Sequence, residues 1–421
     1  MGWNSYDCHG SFLDEIQALA NLDVFARRLL PSGYEYFCID YGWFLDQSYL
    51  EQLTLKPEAI VYNIDACGRF VASPRRFPDG LARLARACHA AGAKFGVHLM
   101  RGIPRVAVER NTPVLGTPYH AADIVDKANS CEWGPACYGV DMAKPGAQAY
   151  YDSVVSAFDE WGVDFVKVDD MVDHPAEMQA FAKAVEKAGR PMLISLSPGD
   201  NAFTGNMALY RRCGDMLRIS GDIWDRSKDL LSGFERWELW QELGGSACWL
   251  DLDMIPFGAL QVYVPEYIDP KYYAPHGLGV NRQSRFTHAQ KQTFITQRVL
   301  AASPLFFGGE LTKTPDVDFN LVTHPEVLAC ARNGVMGRRI FAARHIDVRR
   351  CEERKNPGHG WIGVFDRKCA GREIAVTLAE LGFADTAPVR LFDIWNEVEI
   401  AGGKTGIRIK LEAEGVAFLR F

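Results

Sequence analysis

Residues 161–170, WGVDFVKVDD, begin as an apolar strand and end in a lysine and two aspartates. A strand buried in a parallel sheet normally reads as an unbroken Val/Ile/Leu run. Taking a charge out of water costs several kcal/mol unless it is paired. A strand of this kind has to end where its charges are compensated or used. The pattern recurs along the chain: EYFCID (35–40) ends in Asp40, KFGVH (94–98) in His98 and DFVKVD (164–169) in Asp169. MLISL (192–196), DMLRIS (215–220), SACWLD (246–251) and PLFFGG (304–309) follow, and Met1–Asn4 adds a short first strand.

Helical periodicity falls between these strands. Tyr151, Val154, Val155, Phe158 and Trp161 mark one face, with Gly162 as a stop. Met178, Phe181, Ala182 and Val185 mark another, with Pro175 at the start and Gly189 at the end. Leu81, Leu84 and Cys88 point inward from a helix between Asp79 and Gly92. Eight βα units over residues 1–318 predict an α/β fold, a closed (β/α)8 TIM barrel with its site at the C-terminal strand ends. Asp40, His98, Asp169, Arg218 and Asp251 all fall at such ends, on different strands. After about residue 320 the helical patterns give way to short strands, and Ile407, Ile409 and Leu411 alternate with charged residues. Residues 319–421 therefore predict a C-terminal antiparallel β-sandwich packed on the barrel.

Composition removes several function classes. A net charge of −7 argues against a nucleic-acid partner. No apolar run is long enough to span a membrane. No basic-then-apolar leader precedes MGWNSY, so the chain reads as cytoplasmic, or as a secreted or periplasmic form with a leader trimmed. Eleven cysteines without paired CxxC spacing argue against a zinc module. Cys131 and Cys137 are close enough in sequence to bridge, and buried free thiols are the simpler reading.

Strand geometry assigns the chemistry. Residues i and i+2 share a face, so Lys167 and Asp169 point the same way, while Asp170 points elsewhere or begins the loop. A lysine beside an aspartate keeps the carboxylate ionised, which suits a nucleophile. In LRISGD (217–222), Asp222 follows the strand after Ser220 and Gly221. A half-buried loop carboxyl with a raised pKa can act as an acid. Two carboxyls in contrasting surroundings are what retaining glycoside hydrolysis requires. In CWLDLDM, Asp251 and Asp253 share a face and could accept sugar hydroxyls, and Trp3, Trp43 and Trp249 could stack on apolar sugar faces. Each residue also has a plainer reading. Strand-end aspartates cap helices, Lys167 with Asp169 can be a structural ion pair, tryptophans pack cores, and His98 can be a satisfied core histidine.

These residues carry a resemblance to glycoside hydrolase family 27, the clan D family of α-galactosidases and α-N-acetylgalactosaminidases. The matching stretches are MGWNSYD, YEYFCIDYGW, RRFPDGL, AGAKFGVH, VDFVKVDD, RISGDIWD, LDLDM and SPLFFGGEL, in family order, with GVFDR, LFDIW and GVAFLRF in the C-terminal domain. The resemblance implies Asp169 as nucleophile and Asp222 as acid/base. It implies that Trp3, Asp40, Lys167, Arg218 and Asp253 hold the sugar, without metal or cofactor.

Three departures bear on the sugar. Two adjacent aspartates of the family become Asp40 and Tyr41. The third strand ends in His98 instead of tyrosine and leads into LMRGIPR, which resembles a bacterial branch. Leu196 and Gly199 stand near where galactosidases place a glutamate and a bulky residue beside the sugar's 2-position. Asp170 and Met171 replace the cysteine that secreted members carry after the nucleophile, which disfavours the usual bridge. Met1 occupies the motif methionine that normally follows several strand residues, so the first strand reads as truncated or the start site as misassigned.

The expectation is a retaining exo-α-glycosidase for terminal α-galactosyl-type residues of a carbohydrate substrate, with homo-oligomerisation open. A 2-acetamido sugar, a β-L-arabinopyranoside or another hexose are alternatives on the same scaffold. A Schiff-base aldolase using Lys167 and a non-catalytic carbohydrate-binding protein are the competing classes.

Overall fold

Eight short apolar segments form parallel strands, each separated from the next by at least one helix. They are β1 Gly2–Asn4, β2 Tyr36–Ile39, β3 Lys94–Met100, β4 Phe165–Asp169, β5 Leu193–Ser197, β6 Met216–Arg218, β7 Trp249–Asp251 and β8 Phe306–Phe307. A computed structural model describes residues 1–47, 56, 59–132, 134, 136–245, 247–262, 281–367, 370–384, 389–401 and 406–421. Ser246, the first residue of SACWLD, lies outside them. The architecture is a (β/α)8 barrel followed by an antiparallel β-domain.

The chain divides into two compact units. The first holds Met1–Gly221, Gly258–Gln283 and Phe306–Thr314 and carries seven barrel strands in the order β6-β5-β4-β3-β2-β1-β8. Register fixes which side chains point to the barrel axis. Gly2 pairs with Tyr36 and Phe306, Gly96 with Phe165, His98 with Lys167, and Asp169 with both Met100 and Ser197. Phe165 stacks on Phe306 at 5.4 Å and tilts against Tyr36 at 5.4 Å, closing the lower barrel with an aromatic layer. Gly2 is there because the layer leaves no space. A Cβ on it would lie 2.5 Å from the Tyr36 carbonyl oxygen and 2.7 Å from the Phe306 ring. Backbone cannot yield as a side chain can, so Gly2→Ala is expected to lower stability by about 1–3 kcal/mol, read as a shifted midpoint in urea unfolding.

The helices start and stop by local chemistry. Asp14 and Gln17 form a capping box for Glu15–Arg28. Gly146 and Gly162, both left-handed, bracket Ala147–Trp161, which buries Tyr151, Val154, Val155 and Phe158. Pro175 opens Pro175–Glu186, but the closing residue is Lys187 in place of Gly189. The helix Gly80–Ala90 buries Leu81, Leu84 and Cys88.

The second unit holds Asp222–Phe257, Ser284–Leu305 and Pro315–Phe421, and includes β7. Its β-domain has strands β9 Arg338–Ala343, β10 Ile346–Glu353, β11 Asn356–Asp366, β12 Arg372–Val376, β13 Arg390–Asp393, β14 Val398–Ala401, β15 Ile407–Leu411 and β16 Val416–Arg420. They form a six-stranded sheet, β9-β10-β11-β16-β13-β14, and the pair β12-β15. Val348, Ile362, Val364, Leu391, Ile409 and Leu419 meet in one core. Ile407, Ile409 and Leu411 are buried while Arg408 and Lys410 are exposed. The helix His288–Leu300 docks on this domain: Thr293 Oγ1 donates to the Glu414 carbonyl at 2.6 Å, and Trp395 Nε1 donates to Thr296 Oγ1 at 3.0 Å. No helix among the described residues is long and apolar enough to cross a membrane.

Candidate active site

Three neighbouring strand ends bring Asp40, His98, Lys167 and Asp169 together. Lys167 Nζ lies 2.9 Å from Asp40 Oδ2 and 3.9 Å from Asp169 Oδ1. His98 Nε2 lies 3.0 Å from Asp169 Oδ2. Asp40 accepts two further hydrogen bonds, from Asn4 Nδ2 at 2.7 Å and from the Tyr41 amide at 2.7 Å. The apolar parts of these strands pack around the charges, so each charge needs its partner.

The electrostatics follow. Burial alone would raise the Asp169 carboxyl, but Lys167, then His98 and Arg218, outweigh it and hold the group well below the usual carboxylate range. Burial likewise opposes ionisation of Asp40, and Lys167 and His98 overcome it, so its pKa is also lowered. Burial would lower Lys167, but Asp169 and Asp40 dominate and hold the ammonium above its ordinary range. A Schiff-base lysine must be neutral to attack, so this environment works against aldolase chemistry.

Register separates residues that face the site from those behind it. Trp3 pairs with Phe37, not with the inward Tyr36 and Cys38 positions. It stacks on Phe37 at 4.5 Å, donates Nε1 to the Gly309 carbonyl at 2.8 Å and has no exposed surface. It therefore offers no face to a sugar, and neither does Trp43. Trp43 is buried, donates to the His98 carbonyl at 2.9 Å and packs edge-on against Phe44, Phe70 and Trp161. Trp249 lies with its ring tip against Gly334. Leu196 pairs with Val168 and packs its tip against Gly214, facing away from the axis. The residue beside Asp169 on that strand is Ser197. Ser195 and Ser197 alternate with Ile194 and Leu196, and that period of two was the signal for them.

Sequence reasoning also passed over Asn4 and Tyr6. Asn4 Oδ1 accepts the Tyr6 amide at 2.9 Å, and the Tyr6 ring lies 5.8 Å from Lys167 Nζ. Asp169 Oδ1, Ser197 Oγ and Ser220 Oγ are buried without a hydrogen-bond partner among the described residues. Leaving such a group unmade costs about 1–3 kcal/mol. Their clustering at strand ends suits a ligand rich in hydroxyls.

Asp170 takes up the loop role. Its φ is +62°, and its carboxylate lies 2.9 Å from Arg101. Arg218 ends β6, and Asp222 follows on the loop after Gly221, exposed. Within the second unit Asp253 is past the end of β7, with φ +76°. It does not share the strand face of Asp251; its amide instead bonds Asp251 Oδ1 at 3.0 Å. Its own Oδ2 accepts the Ile223 amide at 2.8 Å, so it fixes the backbone next to Asp222. Arg298 is buried nearby; burial lowers it to about 9, with Asp253 and Asp251 opposing. Cys131 and Cys137 are buried and unbridged; the other described cysteines are unbridged too, and all of them but Cys67 are buried.

No family model matches the chain. Among solved structures, a family 27 β-L-arabinopyranosidase of Geobacillus stearothermophilus with bound arabinose superposes with a TM-score of 0.91. It is 33% identical, with 100% of this chain and 96% of that chain covered. A putative α-N-acetylgalactosaminidase of Bacillus halodurans is 30% identical over 100% of this chain and 96% of that one, with a TM-score of 0.85. The α-galactosidase A of Cellvibrio japonicus is 24% identical over 100% of this chain and 91% of its own length. Likeness over the full length at these levels, with the charged strand ends in place, means that the chain belongs to glycoside hydrolase family 27 and is a carbohydrate-cleaving hydrolase.

Proposed function

We propose that this protein is a retaining exo-glycosidase for terminal α-galactosyl-type residues, acting by double displacement. The carrying observation is Asp169, kept anionic by Lys167 and His98 where three strands end. Asp169 attacks the anomeric carbon and forms a glycosyl ester. Asp222 protonates the departing oxygen, then takes a proton from the water that cleaves the ester. Asp40, His98, Lys167, Arg218 and Ser197 line the sugar site, with Tyr6 beside them, and the family resemblance adds Asp253 as a further sugar ligand. Trp3, Trp43 and Leu196 support it from behind. Residues 1–318 make the catalytic barrel and 319–421 the β-sandwich. A reducing, cytoplasmic setting suits the unbridged cysteines.

Among such sugars, the reading favours a β-L-arabinopyranoside. That sugar is the α-D-galactopyranoside ring without its hydroxymethyl arm, with the same absolute configuration at the reacting carbon. Tyr41 follows Asp40 where α-galactosidases of the resemblance carry a second aspartate, and its ring lies edge-on to His98 at 5.4 Å. One carboxylate fewer suits a sugar with one hydroxyl fewer. The 33% likeness to a β-L-arabinopyranosidase points the same way. Ser197 supports a second reading, because a small hydroxyl leaves room for a 2-acetamido group, as in an α-N-acetylgalactosaminide. Release of p-nitrophenol from the β-L-arabinopyranoside, α-D-galactoside and α-N-acetylgalactosaminide tests both. The expected kcat/KM is highest for the first, by about tenfold or more, the scale of one methylene-sized difference. A preference for the α-D-galactoside would overturn the sugar assignment and leave the mechanism standing.

A further inference from the structure

Behind the nucleophile strand lies a buried ion cluster that the hydrolytic steps do not use. Arg101 follows β3 and is 2% exposed. Its amide donates to the Asp169 carbonyl at 3.1 Å. Its guanidinium donates to the Asp170 carbonyl at 2.9 Å and to Asp170 Oδ2 at 3.0 Å. The remaining nitrogens reach Glu177 Oε1 at 2.6 Å and Asn129 Oδ1 at 3.1 Å. Glu177 is held in turn by the Tyr151 hydroxyl at 2.5 Å and the Val140 amide at 3.1 Å. Gly139 leaves the guanidinium its space; a Cβ there would lie 3.0 Å from it.

This cluster grips one short stretch of backbone from three sides. The Asp169 carbonyl, the Asp170 carbonyl and the Asp170 carboxylate all bind the same residue. Asp170 is a non-glycine residue in left-handed backbone, a conformation that persists only where the surroundings enforce it. The peptide between Asp169 and Asp170 cannot rotate while these contacts hold. A buried ion pair is weak evidence of stabilisation, and specifying a local geometry is one attested use of such a pair.

We propose that Arg101 is a positioning residue for the nucleophile: by clamping the left-handed turn at Asp170, it sets the direction in which the Asp169 carboxylate leaves the strand. The proposal rests on Asp169 being the nucleophile. Lysine keeps the charge but lacks the planar fork, so Arg101→Lys removes the grip while retaining a cation. Asp170→Asn keeps the shape of the turn and weakens the pair, and decides the matter if the lysine variant does not fold.

The experiment measures, in the full-length protein, the rate at which a 2-deoxy-2-fluoro galactosyl fluoride labels Asp169, by intact mass and peptide mapping. Binding of L-arabinose and thermal midpoints are recorded alongside. A misdirected carboxylate should slow labelling on the order of 10²-fold in Arg101→Lys, and less in Asp170→Asn. Monosaccharide affinity should stay within about threefold, since binding and attack are separable. A purely structural Arg101 would lower the thermal midpoint and leave the labelling rate of folded protein within about twofold of wild type; that result overturns the proposal. A wild-type protein labelled elsewhere than Asp169 overturns the nucleophile assignment and this proposal with it.

Discussion

Replacing Asp169 by asparagine is expected to lower kcat on the order of 10⁴-fold or more, with little change in affinity for the monosaccharide product. The amide has nearly the same shape and volume, so the site keeps its packing. It cannot form the glycosyl ester, because its nitrogen and oxygen lack the nucleophilicity of the anion. Lys167 keeps its 2.9 Å contact with Asp40, so half of its compensation survives. That separates the prediction from a general collapse of the site. Asp169→Gly goes further by opening space for azide. Azide should then restore turnover of an activated aryl glycoside and give the glycosyl azide of inverted configuration. Absence of azide rescue, with activity only modestly reduced, would mean that Asp169 serves as a structural ion-pair partner.

The electrostatics give this prediction a pH signature. Asp169 is held below the ordinary carboxylate range, so it stays ionised wherever the protein is assayed, and the acid limb of kcat/KM reports another group. A carboxyl whose folded pKa is depressed contributes stability that is fully present above its unfolded pKa, about 3.9. That contribution fades as pH falls through the lower folded value. Asp40 behaves in the same sense. In Asp169→Asn the Asp169 share of this acid sensitivity should be missing.

Parts of the site were legible in the sequence because charge at the end of an apolar strand is conspicuous. Asp40, His98, Lys167 and Asp169 were found that way, and the structure brings them within direct reach of one another. Strand parity was harder. In β1, three residues long, the inward positions are Gly2 and Asn4, so Trp3 looked like the functional side chain and is part of the outer core. In β5, Leu196 was placed beside the sugar by motif position, but register puts Ser197, not Leu196, on the face of Asp169. The rule that residues i and i+2 share a face fails at Asp253 because β7 ends at Asp251 and φ turns positive. Arg101 gave little local signal. Its partners Asn129, Asp170 and Glu177 are 28, 69 and 76 residues away, and only the fold joins them.

Asp222→Asn should give losses that depend on the leaving group, which Asp169→Asn should not. General acid assistance is worth about 10²–10⁴-fold, and it matters most when the departing oxygen is basic. An alkyl or sugar aglycone should therefore lose nearly that full factor in kcat/KM. A 2,4-dinitrophenyl glycoside needs no proton to depart, so its first step should be nearly unchanged. Its second step still lacks the base that activates water, so the glycosyl ester on Asp169 should accumulate and be visible as an added mass. Azide needs no base and should speed breakdown of that ester, giving the azide of retained configuration. Opposite azide stereochemistry from the two variants would assign the two aspartates independently of any structure. Equal losses for all leaving groups, without azide rescue, would instead make Asp222 a residue that shapes the loop, as Asp253 does by holding the Ile223 amide.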